Sequence, residues 1–187
     1  MFYEVVLDKE ETANKCTIVP LADRADFRLF RVKGAGPLGP LQAQVLLHHE
    51  GESLTTLRNS LPMIQGIATI DCIWRRLEGL LKRVVSPLPV LARIPDGFMT
   101  AYPRKSAKGT DPEGGLATIE AIFTAAALLG NWDVSLFSKY YFGRKFVELN
   151  AQRFIDLGVT QASDQGAYPP ALVRSRNSLQ RRSDRGR

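Results

Sequence analysis

Asp71 and Trp74 are the two residues whose types and spacing point most directly to chemistry. They follow residues 66–70, which predict a buried strand, and residues 73–85 then carry apolar side chains at helical spacing. Open α/β sheets bind ligands at the carboxyl ends of their strands, and there a carboxylate can accept a proton and a tryptophan ring can attract a cation. The alternative interpretation is structural: Asp71 caps the helix and Trp74 anchors the core.

Several strands and helices must position this corner. The alternation of apolar and polar residues and the short apolar runs predict further strands at residues 2–7, 27–32, 42–47 and 88–94. Apolar stripes at helical spacing predict helices at residues 53–61, 117–130, 133–140 and 144–157, with Thr118 as a candidate cap for the second of these. Residues 96–115 form a long loop, and loops of this length inside compact domains are usually functional or mobile.

Two other patterns suggest sites, and the sequence argues against both. Residues 34–39 spell the glycine pattern of a nucleotide-binding loop, but Pro37 and Pro40 stand where the phosphate-binding helix would begin. His48 and His49 are neighbours at the end of a predicted strand, where adjacent side chains point to opposite faces and seldom share one metal. We therefore expect neither a phosphate loop nor a metal site.

The two cysteines, Cys16 and Cys72, lie in unrelated contexts, so neither a disulfide framework nor a zinc site is expected. The 187 residues include 44% hydrophobic and 24% charged residues, as in a soluble globular protein, and no apolar run is long enough to span a membrane. The amino-terminal residues lack the layout of a secretory signal, which predicts a cytoplasmic protein.

Positive charge is concentrated at the carboxyl-terminal end. The net charge is +6, and residues 171–187 hold six arginines against one acidic residue. Residues 159–187 therefore suggest a basic disordered tail, which either attracts phosphates or is only a solvated end. The other basic side chains available to RNA phosphates lie beside Trp74 and in the long loop, although a solvated surface is the commoner explanation: Arg75, Arg76, Arg104, Lys105 and Lys108.

Five segments in this order resemble one family, the small-subunit ribosomal RNA aminocarboxypropyltransferases. The resemblance runs from about residue 14 to residue 150, and the order of the motifs is more specific than any one of them. The matching segments are Lys-Cys-Thr at 15–17, the strand and Asp-Cys-Ile-Trp at 67–74, Leu-Ala at 91–92, Leu-Ala-Thr-Ile-Glu-Ala at 116–121, and residues 142–150.

The resemblance implies a SPOUT-like α/β fold, a sheet with flanking helices and a C-terminal trefoil knot that binds S-adenosylmethionine. Such enzymes transfer the 3-amino-3-carboxypropyl group to a modified uridine of small-subunit rRNA during ribosome biogenesis. We accordingly expect a β-rich lobe at residues 1–65, a knotted cofactor-binding lobe at 66–158 and the tail at 159–187, in a monomeric protein.

The same resemblance implies roles for individual residues. Thr17 would lie near the amino-acid end of the cofactor, and Thr118 would open the helix that closes the site. Asp71 would face the reacting centre, either as the base that accepts the uridine proton or as a group that orients the cofactor. The adenosine and sulfonium pocket would be lined by Leu47, Ile70, Trp74, Leu91 and Ala92.

The chain also departs from the family. Residues 93–97 and the long basic loop replace the usual Asn-Pro-Val-Asn-Tyr-Gly segment, and residues 102–105 with 115–120 resemble the related DTW-domain enzymes that act on tRNA. Two residues separate Asp71 from Trp74, where the DTW motif has one, which favours the rRNA branch. A tRNA-directed enzyme, a methyltransferase and a catalytically silent RNA-binding or ribosome-assembly module remain the alternatives.

Overall fold

The computed structural model describes residues 1–9, 16–61, 63–103 and 115–159. Its centre is a sheet of five strands that are all parallel, in the order β2-β1-β4-β3-β5. Parallel sheets are usually covered on both faces, so their central strands are almost wholly buried. The strands are β1 (Phe2–Leu7), β2 (Phe27–Arg31), β3 (Val45–Ser53), β4 (Gly66–Asp71) and β5 (Val90–Arg93).

In these described ranges, four α-helices and three short 3-10 turns lie between the strands or follow the last of them. The helices are α1 (Leu54–Ser60), α2 (Leu77–Leu81), α3 (Thr118–Leu128) and α4 (Gly143–Asp156). The 3-10 turns are Val19–Leu21, Trp74–Arg76 and Val134–Phe137. Within the described ranges, no helix is long and apolar enough to cross a membrane. The predicted α/β class is confirmed.

The two faces of the sheet build two separate hydrophobic clusters. The alternation along β1 directs Tyr3, Val5 and Leu7 into a large cluster that also holds buried residues of α1, α3 and α4. Within it, the rings of Phe123, Trp132, Phe137, Phe146 and Phe154 pack mainly edge to face. Val6 points the other way, into a smaller cluster closed by α2 and residues 38–43.

Most predicted elements are observed, and the boundaries that differ have physical causes. The helix predicted at residues 73–85 is shorter: after the 3-10 turn, α2 ends at Leu81, and Leu38 pairs with Val84 beyond it. The strand predicted to end near His48 continues to Ser53 because it pairs with β5 a second time. Of residues 133–140, only Val134–Phe137 form a helical turn.

The glycine-rich residues 34–39 form a turn that is held by a side chain. The Arg83 guanidinium donates hydrogen bonds to the carbonyl oxygens of Gly34 and Gly36. A phosphate-binding loop would instead present its backbone N–H groups to the ligand. The prediction that this segment is no nucleotide loop agrees with that arrangement.

The predicted boundary between two lobes, at residues 65 and 66, falls immediately before β4. This strand pairs with β1 on one side and with β3 on the other, and both partners come from the predicted amino-terminal lobe. The division into lobes stays a prediction, and the tail at 160–187 lies outside the described residues.

Candidate active site

A cavity of about 400 Å³ opens beside the carboxyl ends of the strands, where parallel sheets bind ligands. Its volume lies within the range of small-molecule sites. Side chains from β3, β4, β5 and the first turns of α3 line it. Five of the residues predicted to hold a cofactor are among them: Leu47, Ile70, Trp74, Ala92 and Thr118.

Asp71 lies behind this lining and is almost fully buried, with 8% of its surface exposed. The Thr118 hydroxyl donates to Asp71 Oδ1 at 2.6 Å, and the Cys16 thiol donates to Oδ2 at 3.0 Å. Asp71 therefore joins the end of β4 to the first turn of α3 and to Cys16, at the start of the second described range. It does not cap the helical turn after it, whose N-cap is Ile73, so the structural alternative for Asp71 is wrong.

The Cys16 thiol is kept protonated by this environment. Burial, followed by the charge of Asp71 and the hydrogen bond to it, raises the pKa of Cys16 to about 12. A protonated thiol is a donor and a poor nucleophile. Cys16 therefore serves as a hydrogen-bond donor to Asp71, and covalent chemistry at this sulfur is disfavoured.

The start of α3 is fixed from two further directions. Its N-cap is Ala117 and not Thr118, because Thr118 already has helical geometry and its hydroxyl is used by Asp71. The Ile119 N–H donates to the Thr17 hydroxyl at 3.3 Å, so Thr17 contacts α3 and lies behind the cavity lining. Glu120 in the first turn accepts from the Ala117 N–H at 2.9 Å, which is half of a capping box.

Glu120 is wholly buried, and its carboxylate organises the segment that leads to the long loop. Besides Ala117, it accepts hydrogen bonds from the Thr100 hydroxyl, the Ala101 N–H and the Tyr140 hydroxyl, at 2.6 to 2.9 Å. Asn150 of α4 binds Met99, the residue before Thr100. Its side-chain amide accepts from the Met99 N–H and donates to the Met99 carbonyl oxygen. Residues 98–102 are thus tied to both α3 and α4.

The two residues predicted from β5 point to opposite faces of the sheet. Ala92 belongs to the large cluster and lines the cavity, whereas Leu91 packs against the smaller cluster on the other face. Leu91 is not among the residues that line the cavity. Trp74 is half-buried between the smaller cluster and the cavity. Its ring therefore packs on the core, as the structural interpretation expects, and also faces the cavity, as a cofactor-binding residue would.

A bulge in β3 forms another wall of the cavity. Ala92 of β5 pairs with Leu47 and again with Glu52, so residues 48–51, here called the histidine bulge, project out of the ladder. The bulge brings the rings of His48 and His49 to 4.4 Å between centroids. The expectation that these side chains point to opposite faces is therefore wrong, because it assumed a regular strand.

The two histidines are held differently. His48 is buried: its Nε2 lies 2.9 Å from Glu78 Oε1, and its Nδ1 accepts from the Glu50 N–H. Because Nδ1 is an acceptor, the neutral ring carries its proton on Nε2 and donates it to Glu78. His49 is half-exposed and packs its ring edgewise on Trp74, with 5.8 Å between centroids.

Potential ligand atoms of His48, His49 and Glu78 lie within 4.8 Å of one another, the spacing of a possible metal site. A metal on His48 Nε2 would require the proton to move to Nδ1, where it would face the Glu50 N–H. Both ring nitrogens of His48 are therefore better matched to their present partners than to a metal.

The predicted RNA-binding residues fall into two groups. Arg75 is exposed beside Trp74, whereas the Arg76 guanidinium lies 3.0 Å from the buried carboxylate of Asp8, as an ion pair that is not aligned as a hydrogen bond. Arg104, Lys105 and Lys108 lie outside the described residues. The sequence did not indicate that Arg93, His48 and His49 line the cavity. For the histidines, the polar sequence His-His-Glu-Gly within a predicted strand could have indicated an irregular, functional segment.

Comparisons with known proteins give one structural match. The fold is similar to that of the SAM-dependent rRNA:acp-transferase Tsr3 from Vulcanisaeta distributa, with a TM-score of 0.59 over 83% of this chain and 82% of that one. The two sequences are 19% identical over the match, so the likeness establishes the fold. No family model and no curated protein matches this sequence.

Proposed function

We propose that this chain is an S-adenosylmethionine-dependent RNA aminocarboxypropyltransferase whose substrate is a uridine of small-subunit rRNA. One observation carries the proposal: the cavity at the carboxyl edge of the sheet is lined by Trp74, Thr118 and the end of β4, within a fold shared with Tsr3. The motif order in the sequence supports the same reaction independently of that fold comparison.

The cavity suits the proposed cofactor in size and in chemistry. Apolar side chains of Leu47, Ile70 and Ala92 provide a surface for the adenosine, and Thr118 offers polar contact at the start of α3. The Trp74 ring can attract a sulfonium by about 0.5–2 kcal/mol. Bound there, the cofactor supplies an electrophilic γ-carbon. The residues of the chain must orient that carbon, and not the methyl group, towards the RNA.

Asp71 acts in this proposal by positioning. Both of its oxygens accept hydrogen bonds from Thr118 and Cys16, and its side chain lies behind the cavity lining. A buried carboxylate with two donors fixes the first turn of α3, whose Thr118 faces the cavity. Of the two roles that the sequence left open, orientation of the cofactor site is therefore favoured over acceptance of the uridine proton.

RNA would approach over the exposed rim of the cavity. Two arginines lie at or near this rim: Arg93 at the end of β5, and the exposed Arg75 beside Trp74. Contacts of this kind with phosphates provide salt-dependent affinity and little sequence readout. Arg76 is engaged with Asp8 and would position the turn that carries Trp74.

The decisive experiment incubates the protein with total RNA and S-adenosylmethionine labelled either in the carboxyl group or in the methyl group. Carboxyl label in RNA is the expected result, and sizing the labelled RNA separates rRNA from tRNA. Methyl label alone would make the protein a methyltransferase. Neither label would favour the silent RNA-binding or ribosome-assembly module.

Substitution of the two central residues tests their assignments. Trp74→Ala is expected to weaken cofactor binding, measured by calorimetry, because the cation loses its aromatic face. Asp71→Asn should reduce transfer more than binding, and wild-type turnover in this variant would remove Asp71 from the site. The trefoil knot, the SPOUT relationship, the cytoplasmic location and the monomeric state belong to the same proposal and stay predictions.

A further inference from the structure

The proposed reaction needs an acceptor for the uridine N–H proton, and the obvious carboxylate is already occupied. Asp71 accepts from two side chains and lies outside the cavity lining. Among the described residues that line the cavity, an imidazole or a carboxylate is carried by His48, His49 and Asp96. The acceptor can therefore be sought among these three groups.

Two of the three are poorly suited. His48 uses Nδ1 for the Glu50 N–H and Nε2 for Glu78, so neither nitrogen is available to a substrate. The Asp96 carboxylate is almost completely exposed, at 99%, and lies 3.8 Å from the Arg93 guanidinium. The ordinary pKa of a carboxyl group also lies well below neutrality, so a carboxylate is in general a weaker base than an imidazole.

His49 meets the requirements that the others do not. In the described part of the chain its ring nitrogens make no hydrogen bond, the nearest partner being Glu50 Oε1 at 3.9 Å. Its ring stands edgewise to Trp74, where the reacting nucleobase must come close to the sulfonium. Histidine is also the side chain whose ordinary pKa lies nearest neutrality, as a general base requires.

We propose that His49 is the general base that removes the N–H proton of the uridine, and that His48 and Glu78 position it by fixing the histidine bulge. This inference rests on the proposed function. The uridine nitrogen forms a bond to the γ-carbon as the bond from that carbon to sulfur breaks. The sulfur keeps the electron pair in neutral methylthioadenosine, and the proton passes to His49 and then to water.

Charged and aromatic groups lie near the ring of His49. The Glu50 carboxylate lies 3.9 Å away, and Glu78 of α2 belongs to the same cluster. His48 lies beside the ring on the same bulge, Trp74 packs against it from the 3-10 turn that follows β4, and Arg93 and Asp96 of the β5 side line the same cavity. The Arg93 guanidinium and the Asp96 carboxylate lie 3.8 Å apart, so this pair adds little net charge to the cavity.

The test compares single-turnover transfer of the carboxyl label by the wild type, His49→Gln and His49→Phe at saturating cofactor. Both variants should be about 10²–10⁴-fold slower near neutral pH, the usual contribution of a general base. Their deficit should shrink at alkaline pH, where the uridine N–H ionises without help. Glu52→Gln is the matched control, because this exposed carboxylate lies just outside the bulge and its loss should change the rate little.

Several results would overturn the assignment. Full activity of His49→Phe would mean that the ring only stacks, and a deficit independent of pH would mean a structural role. A loss in Asp96→Asn equal to the expected loss in His49→Gln would transfer the role to that carboxylate. Wild-type activity that a chelator abolishes and Zn²⁺ restores would indicate a metal centre at the bulge. Calorimetry of cofactor binding verifies that each variant keeps its pocket, and a wild type that transfers no label refutes the proposed function itself.

Discussion

The cavity has two walls that are built on opposite principles. The α3 wall is Thr118 together with Asp71 and Glu120, the two buried carboxylates behind it, and the oxygens of both carboxylates all accept hydrogen bonds. The histidine bulge is held by the two hydrogen bonds of His48, and its outermost imidazole is half-exposed without a hydrogen bond among the described residues. A wall whose polar groups all have hydrogen-bond partners can hold a ligand in one orientation. A group without such a partner can instead exchange a proton with the ligand.

The largest effect is expected in the α3 wall. Glu120→Ala removes the acceptor of four donors, three of which belong to Thr100, Ala101 and Tyr140. Each buried donor left without a partner costs about 1–3 kcal/mol, so the free energy of unfolding should fall by at least about 3 kcal/mol. Urea denaturation measures it. Glu148→Ala on the exposed side of α4 is the matched control and should change stability by less than about 0.5 kcal/mol.

A smaller but clear loss is expected at Asp71. Asp71→Ala leaves the Thr118 hydroxyl and the buried Cys16 thiol without their acceptor, at a cost of about 1–3 kcal/mol. Thermal unfolding of the variant and the wild type at the same pH gives the difference. An unchanged midpoint would show that the α3 wall does not depend on this residue.

The pH dependence of stability reports on the Asp71–Cys16 contact separately. The folded pKa of Cys16 is raised to about 12 from an ordinary 9.0, so the contribution of its protonated thiol is complete below pH 9 and is lost between pH 9 and about 12. Tyr3, whose pKa burial raises to about 12 from 10.0, adds to the loss above pH 10. Cys16→Ser should flatten the decline between pH 9 and 10, measured by denaturation at each pH.

The smallest effect on stability is expected at the tip of the bulge. His49→Gln removes a half-exposed ring without hydrogen bonds, so the free energy of unfolding should change by less than about 0.5 kcal/mol. A loss as large as that of Asp71→Ala would mean that both walls are structural, and the contrast between them would disappear. The same urea titration as for Glu120→Ala gives the answer.

The sequence predicts those parts of the fold that local patterns determine. Strands β1, β2 and β4 and helices α1, α3 and α4 follow hydrophobic periodicity and lie close to their predicted positions. The bulge could not be predicted, because it exists only through the second pairing of β3 with β5. The partners of Asp71 are also distant in sequence, 55 residues away for Cys16 and 47 for Thr118, so no local pattern shows that both oxygens are occupied.

Gly51, at the end of the bulge, limits how the site can be redesigned. A β-carbon at this position would lie 2.4 Å from the Ala92 backbone nitrogen, so only glycine lets β3 return to β5 there. The length of the excursion is thereby locked, while residues 49 and 50 at its tip are exposed and have no strand partner in the described part of the chain. An engineer who wishes to exchange the reactive group, or graft a recognition element for another acceptor, can vary these two positions and leave the scaffold untouched.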